Sequence, residues 1–438
     1  MATYKNLRKV LNLPTLSASP SSGVNGEMYF NTTDSALYIY DGSWKKATQS
    51  ELPGPDWTAA AQQAKLVASD AQASDAFGFS VSIDGDTLVA GAWYEDAGGS
   101  NAGAAYVFTR SGTSWSQQAK LVASDAQAGD EFGNAIAISG DTVVVGAYAE
   151  DTGGSGAGAA YVFTRSGTTW SQQAKLQASD KGTYDYLGMS VAIDGNTVVA
   201  GAFYEDSGAS DAGSATVFTR SGTTWSQQAR LTASDPQAND QFGYSISISS
   251  DTVVVGAYTE DTGGTDAGAA YVFTRSGTSW SQQAKLQASD KAAGDQLGYS
   301  VSISSDTVVA GAPLEDAGGN EAGAAYIFTR SGTSWSQQAK IVAANAGELD
   351  SFGTSVDIDG DSVIVGAWRE DTKASDGGAV YVFTRSGTSW SQQKLLTASD
   401  VPAYARFGHA VAIDGKTAVG TSKLVDSGAG AAYAFLAG

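Results

Sequence analysis

A seven-bladed β-propeller is the fold this sequence predicts, from three observations: one repeat with a 55-residue period, four strand-like runs in each repeat, and two chain ends that complement each other. Trp57, Trp115, Trp170, Trp225, Trp280, Trp335 and Trp390 mark seven units, spaced by 55 after a first interval of 58. A second marker runs in step: Phe77-Gly78, Phe132-Gly133, Leu187-Gly188, Phe242-Gly243, Leu297-Gly298, Phe352-Gly353 and Phe407-Gly408.

In the first unit, Phe77 to Ile83 alternates large and small residues, which places Phe77, Phe79, Val81 and Ile83 on one face. Asp84-Gly85-Asp86 is a tight-turn signal leading into a second run, Thr87 to Ala92. A Gly-rich acidic loop follows, then Gly103 to Arg110, a Ser-Gly-Thr turn, and Trp115 to Val122. The period of two excludes a helical repeat. Four antiparallel strands whose faces are buried only by a neighbouring copy read as a propeller blade. The last unit has only three strands, ending with Ala431 to Leu436, whereas Trp57 to Val67 is a fourth-type strand with no blade before it. The N-terminal strand is therefore expected to complete blade seven and leave no open edge.

The chain has 438 residues, 53 Gly, 7 Pro, no Cys and a formal net charge of -21. Such acidity disfavours nucleic acid and anionic membrane surfaces as partners. No stretch is long and apolar enough to span a bilayer, and no signal-peptide h-region follows Lys5, Arg8 and Lys9. Without Cys there are no disulfides, thiolate metal sites or cysteine nucleophile.

Chain direction puts the Asp-Gly and Ser-Gly-Thr turns on one face of the ring and the loops after strands two and four on the other. The units differ most on that second face. After the Gly-Ala pair of strand two stand Trp93, Tyr148, Phe203, Tyr258, Pro313 and Trp368, followed by Tyr94, Ala149, Tyr204, Thr259, Leu314 and Arg369. The candidate ligand-binding residues are Trp93, Tyr94, Tyr148, Phe203, Tyr204, Tyr258, Trp368 and Arg369, as a stacking platform around the ring. The same rings can instead pack a loop against the neighbouring blade, as buried aromatics more often do. Glu-Asp pairs from Glu95-Asp96 to Glu370-Asp371 recur in this loop, and Asp75, Asp130, Asp185, Asp240, Asp295 and Asp350 recur before strand one. Carboxylates on two loops can hold a hard cation, but Asp in Gly-rich loops more commonly accepts backbone N–H bonds. His409, the only His, has no partner constellation, so no catalytic residue is assigned and an enzyme is not expected.

The order Phe-Gly, strand, Gly-Ala, acidic Gly-rich loop, Tyr-Val-Phe resembles the FG-GAP repeat of integrin-alpha-like propellers, in the short version found in bacterial and phage proteins. The resemblance implies a propeller over residues 57 to 438. It does not carry over calcium, because the calcium loop of integrin-type repeats is reduced here to Asp84-Gly85-Asp86 or Ser250-Asp251; no cofactor is expected. The seventh unit departs, reading Gly420-Thr421-Ser422 where the others read Gly-Ala.

Residues 1–56 do not repeat. Gly26 to Phe30, Ala36 to Tyr40 and Ser43 to Lys45 read as a small β-meander, with Pro53-Gly54-Pro55 as a stiff break before the propeller. The string from Asn25 to Ala47 resembles a module of phage tail-fibre and other virion structural proteins. That resemblance implies a non-enzymatic virion appendage: residues 1–56 dock on other virion proteins or on further copies of the chain as a homo-oligomer, and the propeller meets a host-surface glycan or protein receptor. The alternatives are a bacterial surface or extracellular adhesion propeller and a polysaccharide-cleaving propeller.

Overall fold

The computed structural model describes residues 15–16, 28–31, 36–40, 43–46 and 54–438. Two compact units result, Met1–Pro55 and Asp56–Gly438. In the first, Thr15–Leu16, Met28–Asn31, Ala36–Tyr40 and Trp44–Lys46 form one sheet in chain order. The last three strands are the antiparallel meander read from the sequence, and Thr15–Leu16 adds a parallel strand to Met28–Asn31. Gly26, Glu27, Asp41, Gly42 and Pro53 lie outside the described residues.

The second unit contains seven four-stranded antiparallel sheets. Blade one comprises Phe77–Asp84, Thr87–Ala92, Ala104–Ser111 and Ser114–Leu121. Its second strand is buried at every position, because a blade's middle is covered on both faces by its neighbours. Phe77 sits between blades, edge-on to Tyr106 at 5.7 Å and to Phe108 at 5.9 Å between ring centroids. The same triad recurs at Phe132, Phe242, Phe352 and Phe407.

Backbone contact between blades explains the two dipeptide markers. A Cβ on Gly91 would lie 1.9 Å from the Gly133 carbonyl oxygen of the next blade, and one on Gly256 would lie 2.0 Å from that of Gly298. The Gly of the Gly-Ala pair is thus needed where the Gly of the next Phe-Gly pair passes. Polar bonds follow the same blade-to-blade order. Gln117 Oε1 accepts from Ser69 N at 2.9 Å, and this bond repeats around the ring until Gln62 Oε1 accepts from Ser399 N at 2.9 Å.

That last bond crosses the seam. Ala61–Leu66 pairs antiparallel with Ala431–Leu436, so blade seven takes its outer strand from the N-terminal side of the chain, as expected. Trp57 corrects the sequence reading: it lies in a 3-10 turn, Trp57–Ala59, before the strand. Alignment on Gln62 and Gln117 puts Ala60, not Trp57, level with Trp115, which accounts for the first interval of 58. In the other blades the Trp indole N–H donates to a Gln of the preceding blade, as Trp115 does to Gln63 at 3.0 Å, and an Arg stacks on the Trp ring. That Arg reaches a Thr of the preceding blade, as Arg165 does to Thr87 at 3.0 Å. In blade seven Ala437 stands at the Arg position, and Trp57, 1% exposed, donates to Ser362 at 3.1 Å, the residue that aligns with Thr87.

A second correction concerns Phe79. A register shift between Phe77 and Val81 interrupts the alternation, so Phe79 leaves the core face and stacks on Trp93 at 4.1 Å.

Candidate functional site

The residues that vary between otherwise near-identical blades come together on one face as a connected arc of rings. From blade six it runs Trp368, His409, Phe79, Trp93, Tyr148, Tyr186, Phe203, Tyr244 and Tyr258, with successive centroids between 4.1 and 6.4 Å apart. Tyr94 stacks on Trp93 at 4.2 Å, while Tyr204 lies tilted against Phe203 at 4.1 Å and Tyr299 against Tyr244 at 5.1 Å. Pro313, Leu314 and Thr354 occupy the corresponding positions between Tyr299 and Trp368.

All eight residues singled out from the sequence lie in or beside this arc. Trp93, Tyr94, Tyr148, Tyr258, Trp368 and Arg369 are half-buried, Phe203 is buried, and Tyr204 is exposed. The two roles weighed for them are therefore not exclusive: Phe203 packs between neighbours, while Tyr204 offers a face to solvent.

Two further sets of residues belong to the site and went unmarked in the sequence. One is the position before each Phe-Gly or Leu-Gly pair: Ala76, Glu131, Tyr186, Gln241, Gln296, Ser351 and Arg406. All seven have positive φ, from 54° to 60°. A non-Gly residue there is strained unless its surroundings fix it. The preceding blade does so, as its loop carbonyls accept the N–H of each, for example Tyr186 N to Gly156 O at 3.0 Å and Arg406 N to Asp376 O at 3.0 Å. The side chain then packs over the loop aromatics: Tyr186 on Phe203 at 5.9 Å, and the Arg406 guanidinium 4.5 Å from the Trp368 ring. The second set follows the pair, at Phe79, Tyr244, Tyr299 and His409. The signal for both was available, since these positions flanking the marker pair also change from blade to blade.

The recurring carboxylates of this face are engaged in holding the loops, whereas Glu131, beside Tyr148, keeps Oε2 buried without a partner. Each Glu of the Glu-Asp pairs is buried, and five of the six meet a cation of their own blade's outer strand, as Glu260 meets Lys285 at 2.8 Å. The adjoining Asp caps the loop, as Asp96 accepts from Asn101 N at 2.8 Å. The Asp before strand one accepts a backbone N–H three residues earlier, as Asp240 does from Gln237 at 2.7 Å. At the turn after strand one, Asp84 accepts from Gly140 N of the next blade at 2.6 Å. Among the described residues no three His, Cys, Asp or Glu side chains converge to hold a metal ion.

The opposite face is less plain than its uniform turns suggest. Shallow polar grooves lie between blades there, one of them lined by Asp194, Asn196, Thr197, Arg220, Asp251 and Arg275. Its guanidinium groups are already committed to neighbours, Arg220 to Asn196 at 2.9 Å and Arg275 to Asp251.

A family model described as FG-GAP repeat matches the chain seven times, at residues 60–108, 115–163, 170–218, 225–273, 280–328, 335–383 and 390–435. The chain belongs to the FG-GAP repeat family. No curated protein matches it significantly. Each matched stretch begins in or just before an outer strand and ends in the third strand of the following blade, so the FG-GAP unit is offset from the blade, and the first one spans the seam.

Burial in this FG-GAP propeller gives its stability a pH dependence. Asp240 and Asp357 are both pushed up to about 6 by burial; an ordinary aspartate titrates near ~3.9. Since their folded values are the higher, their contribution is full below about pH 4 and is lost as pH rises through about 6. Asp70, Asp125, Asp235, Asp290 and Asp400 run the other way: burial pushes them up, but the hydrogen bonds from their Lys partners outweigh it and hold them below the ordinary range. Their contribution is present above about pH 4 and is lost in acid. Buried His409, held down to about 3, works in the opposite direction, since its contribution fades as pH falls below about 6.5. The test is therefore the difference between two proteins: in differential scanning calorimetry the parent is expected to gain more Tm, or lose less, than Asp357→Asn on going from pH 8 to pH 5, and an equal change in the two would contradict this.

Proposed function

We propose that this FG-GAP propeller is a non-enzymatic virion appendage of the phage type. Residues 1–56 dock on other virion proteins or on further copies of the chain, and the aromatic face of the disc attaches to a host-surface glycan. The observation that carries the reading is that blades nearly identical elsewhere diverge at the positions that form one connected arc of rings. Uniform framework with variation confined to one rim is how a rigid scaffold presents a binding surface. Sugar rings stack their C–H faces on Trp and Tyr, and their hydroxyls pair with nearby polar groups. A non-enzymatic role is supported by the setting of His409, which lies against Phe79 and Trp368, with Lys423 and Arg406 as the charges nearest to it and no carboxylate to orient the ring.

Two comparisons test this. Replacing Trp93, Tyr94, Tyr204 and Trp368 by Ala is expected to weaken binding to host cells or immobilised glycans by about tenfold or more while the circular dichroism melt stays cooperative. Deleting residues 1–52 is expected to leave that binding intact and to abolish incorporation into particles or oligomers. Full glycan binding by the Ala variant would reject the aromatic face as the attachment surface. Unchanged incorporation of the shortened chain would reject the arm as the docking element, and a bacterial surface or secreted adhesin would then be the better reading.

A further inference from the structure

At the blade six, seven and one end of the aromatic arc, the chain collects cations that it leaves unpaired. The guanidinium of Arg406 lies 4.5 Å from the Trp368 ring, that of Arg369 lies 5.1 Å from the same ring, and Lys423 Nζ lies 4.6 Å from the Phe79 ring. None of the three has an ion-pair partner among the described residues, in a chain whose net charge is -21. The outer-strand cations of blades one to five and blade seven, by contrast, are each held by two carboxylates, as Lys120 is by Asp70 and Glu95. Lys423 arises where blade seven departs from the repeat, at the position of Trp93 and Trp368.

The same spot holds buried polar atoms without a partner: Trp93 Nε1, His409 Nδ1 and Arg406 Nε. Two of these are N–H donors, and a buried donor left unpaired is costly unless a ligand completes it. Burial first, and then Arg406, pulls the Lys423 ammonium down to about 8. Burial, Lys423 and Arg406 pull His409 down to about 3. No carboxylate figures among the charges acting on either group.

We infer that this end of the arc receives a negatively charged sugar residue, its acid group held by Arg406, Lys423 and Arg369 and its ring set against the edges of the Trp93 and Trp368 rings, whose faces are taken by Phe79 and Tyr94 and by the two guanidinium groups. The inference rests on the glycan-attachment reading above and narrows its ligand class. A carboxylate or sulfate satisfies the N–H donors and neutralises the crowded cations together, which a neutral sugar does not. The fixed fork of Arg406, already stacked on an indole, suits an oxyanion held at two points.

The test compares acidic probes with counterparts whose acid is capped, by isothermal titration calorimetry on the full chain: sialyllactose against its sialic acid methyl ester, polygalacturonate against its methyl ester, and heparin as the sulfate arm. The acidic member of a pair is expected to bind about tenfold or more tightly. Arg406→Gln and Lys423→Gln are each expected to lower affinity for the acidic probe by about tenfold or more, and for the neutral one by far less, so that most of the preference is lost while the melt stays cooperative; Arg406→Lys should restore part of it. Binding of the acidic probe should also weaken between pH 7 and pH 9 as Lys423 loses its proton, with Arg406 and His409 the other groups facing it. Preference for the carboxylated or for the sulfated probe identifies the acid. Equal binding of charged and neutral sugars, lost in the Trp93 and Trp368 variants, would overturn the inference and keep the attachment reading. Binding of no sugar at all would overturn both.

Discussion

A chain lacking residues 1–68 is expected to fail to form a stable propeller, whereas one lacking residues 1–52 should melt as the full chain does. The first deletion removes Ala61–Leu66, leaving the whole edge of Ala431–Leu436 unpaired in the last blade. It also removes Trp57 and Leu66 from the core, the Gln62 bond to Ser399, and the Lys65 pairs to Asp400 and Asp426 at 2.7 and 2.8 Å. The loss falls at the one place where the ring is closed by residues far apart in sequence, so local contacts cannot compensate. Trp57→Ala alone is expected to cost about 3–5 kcal/mol, as for other buried large-to-small changes. Size-exclusion chromatography and thermal melts decide the matter: aggregation or a strongly lowered Tm for the longer deletion supports the seam, and equal stability of the two truncations would refute it.

The period, the four strands and the closure were legible because each rests on pattern rather than on single residues. Thr87–Ala92 lies where the sequence places it, and the third and fourth strands are shifted by one residue. Trp57 was misread because a residue type was matched without its neighbours: Gln62 and Lys65, which continue the true repeat, put the register three residues later. Phe79 was misread because period-two alternation assumes an unbroken ladder, and the shift after Phe77 breaks it. Of the site, the loop aromatics were legible through their variation; the position of Tyr186 and Arg406 varies as well, but its geometry was not legible. Nothing in a lone Tyr or Arg announces a positive φ, which here is imposed by the carbonyls of the preceding blade. Lys423 was hidden by the departure of blade seven, whose Thr421-Ser422 obscured its alignment with Trp93 and Trp368.

The buried Glu of the loop offers an internal comparison, because blade six differs from the rest. Glu260 is fully buried and accepts from Lys285 at 2.8 Å, from Thr262 N at 2.9 Å and from Gln287 at 3.3 Å. In blade six Leu395 stands at the Lys position and Asn345 at the Asp position, so Glu370 meets the Asn345 amide at 2.9 Å and Thr372 instead. Glu260→Ala strips a half-buried ammonium of its buried partner and leaves it Asp235, 44% exposed, Thr262 and the Tyr271 ring. Breaking a buried pair from one side costs about 3–5 kcal/mol. Glu370→Ala strips only neutral donors, at about 1–3 kcal/mol. In a propeller of this size, roughly 1 °C of Tm accompanies each kcal/mol, so the two variants should melt about 3–5 °C and about 1–3 °C below the parent. The double variant Glu260→Leu with Lys285→Met, which removes both charges and keeps apolar volume, should recover much of the larger loss. If Glu260→Ala and Glu370→Ala melt alike, or the double variant is worse than the single, then the loop acid acts through its backbone cap and not through the lysine.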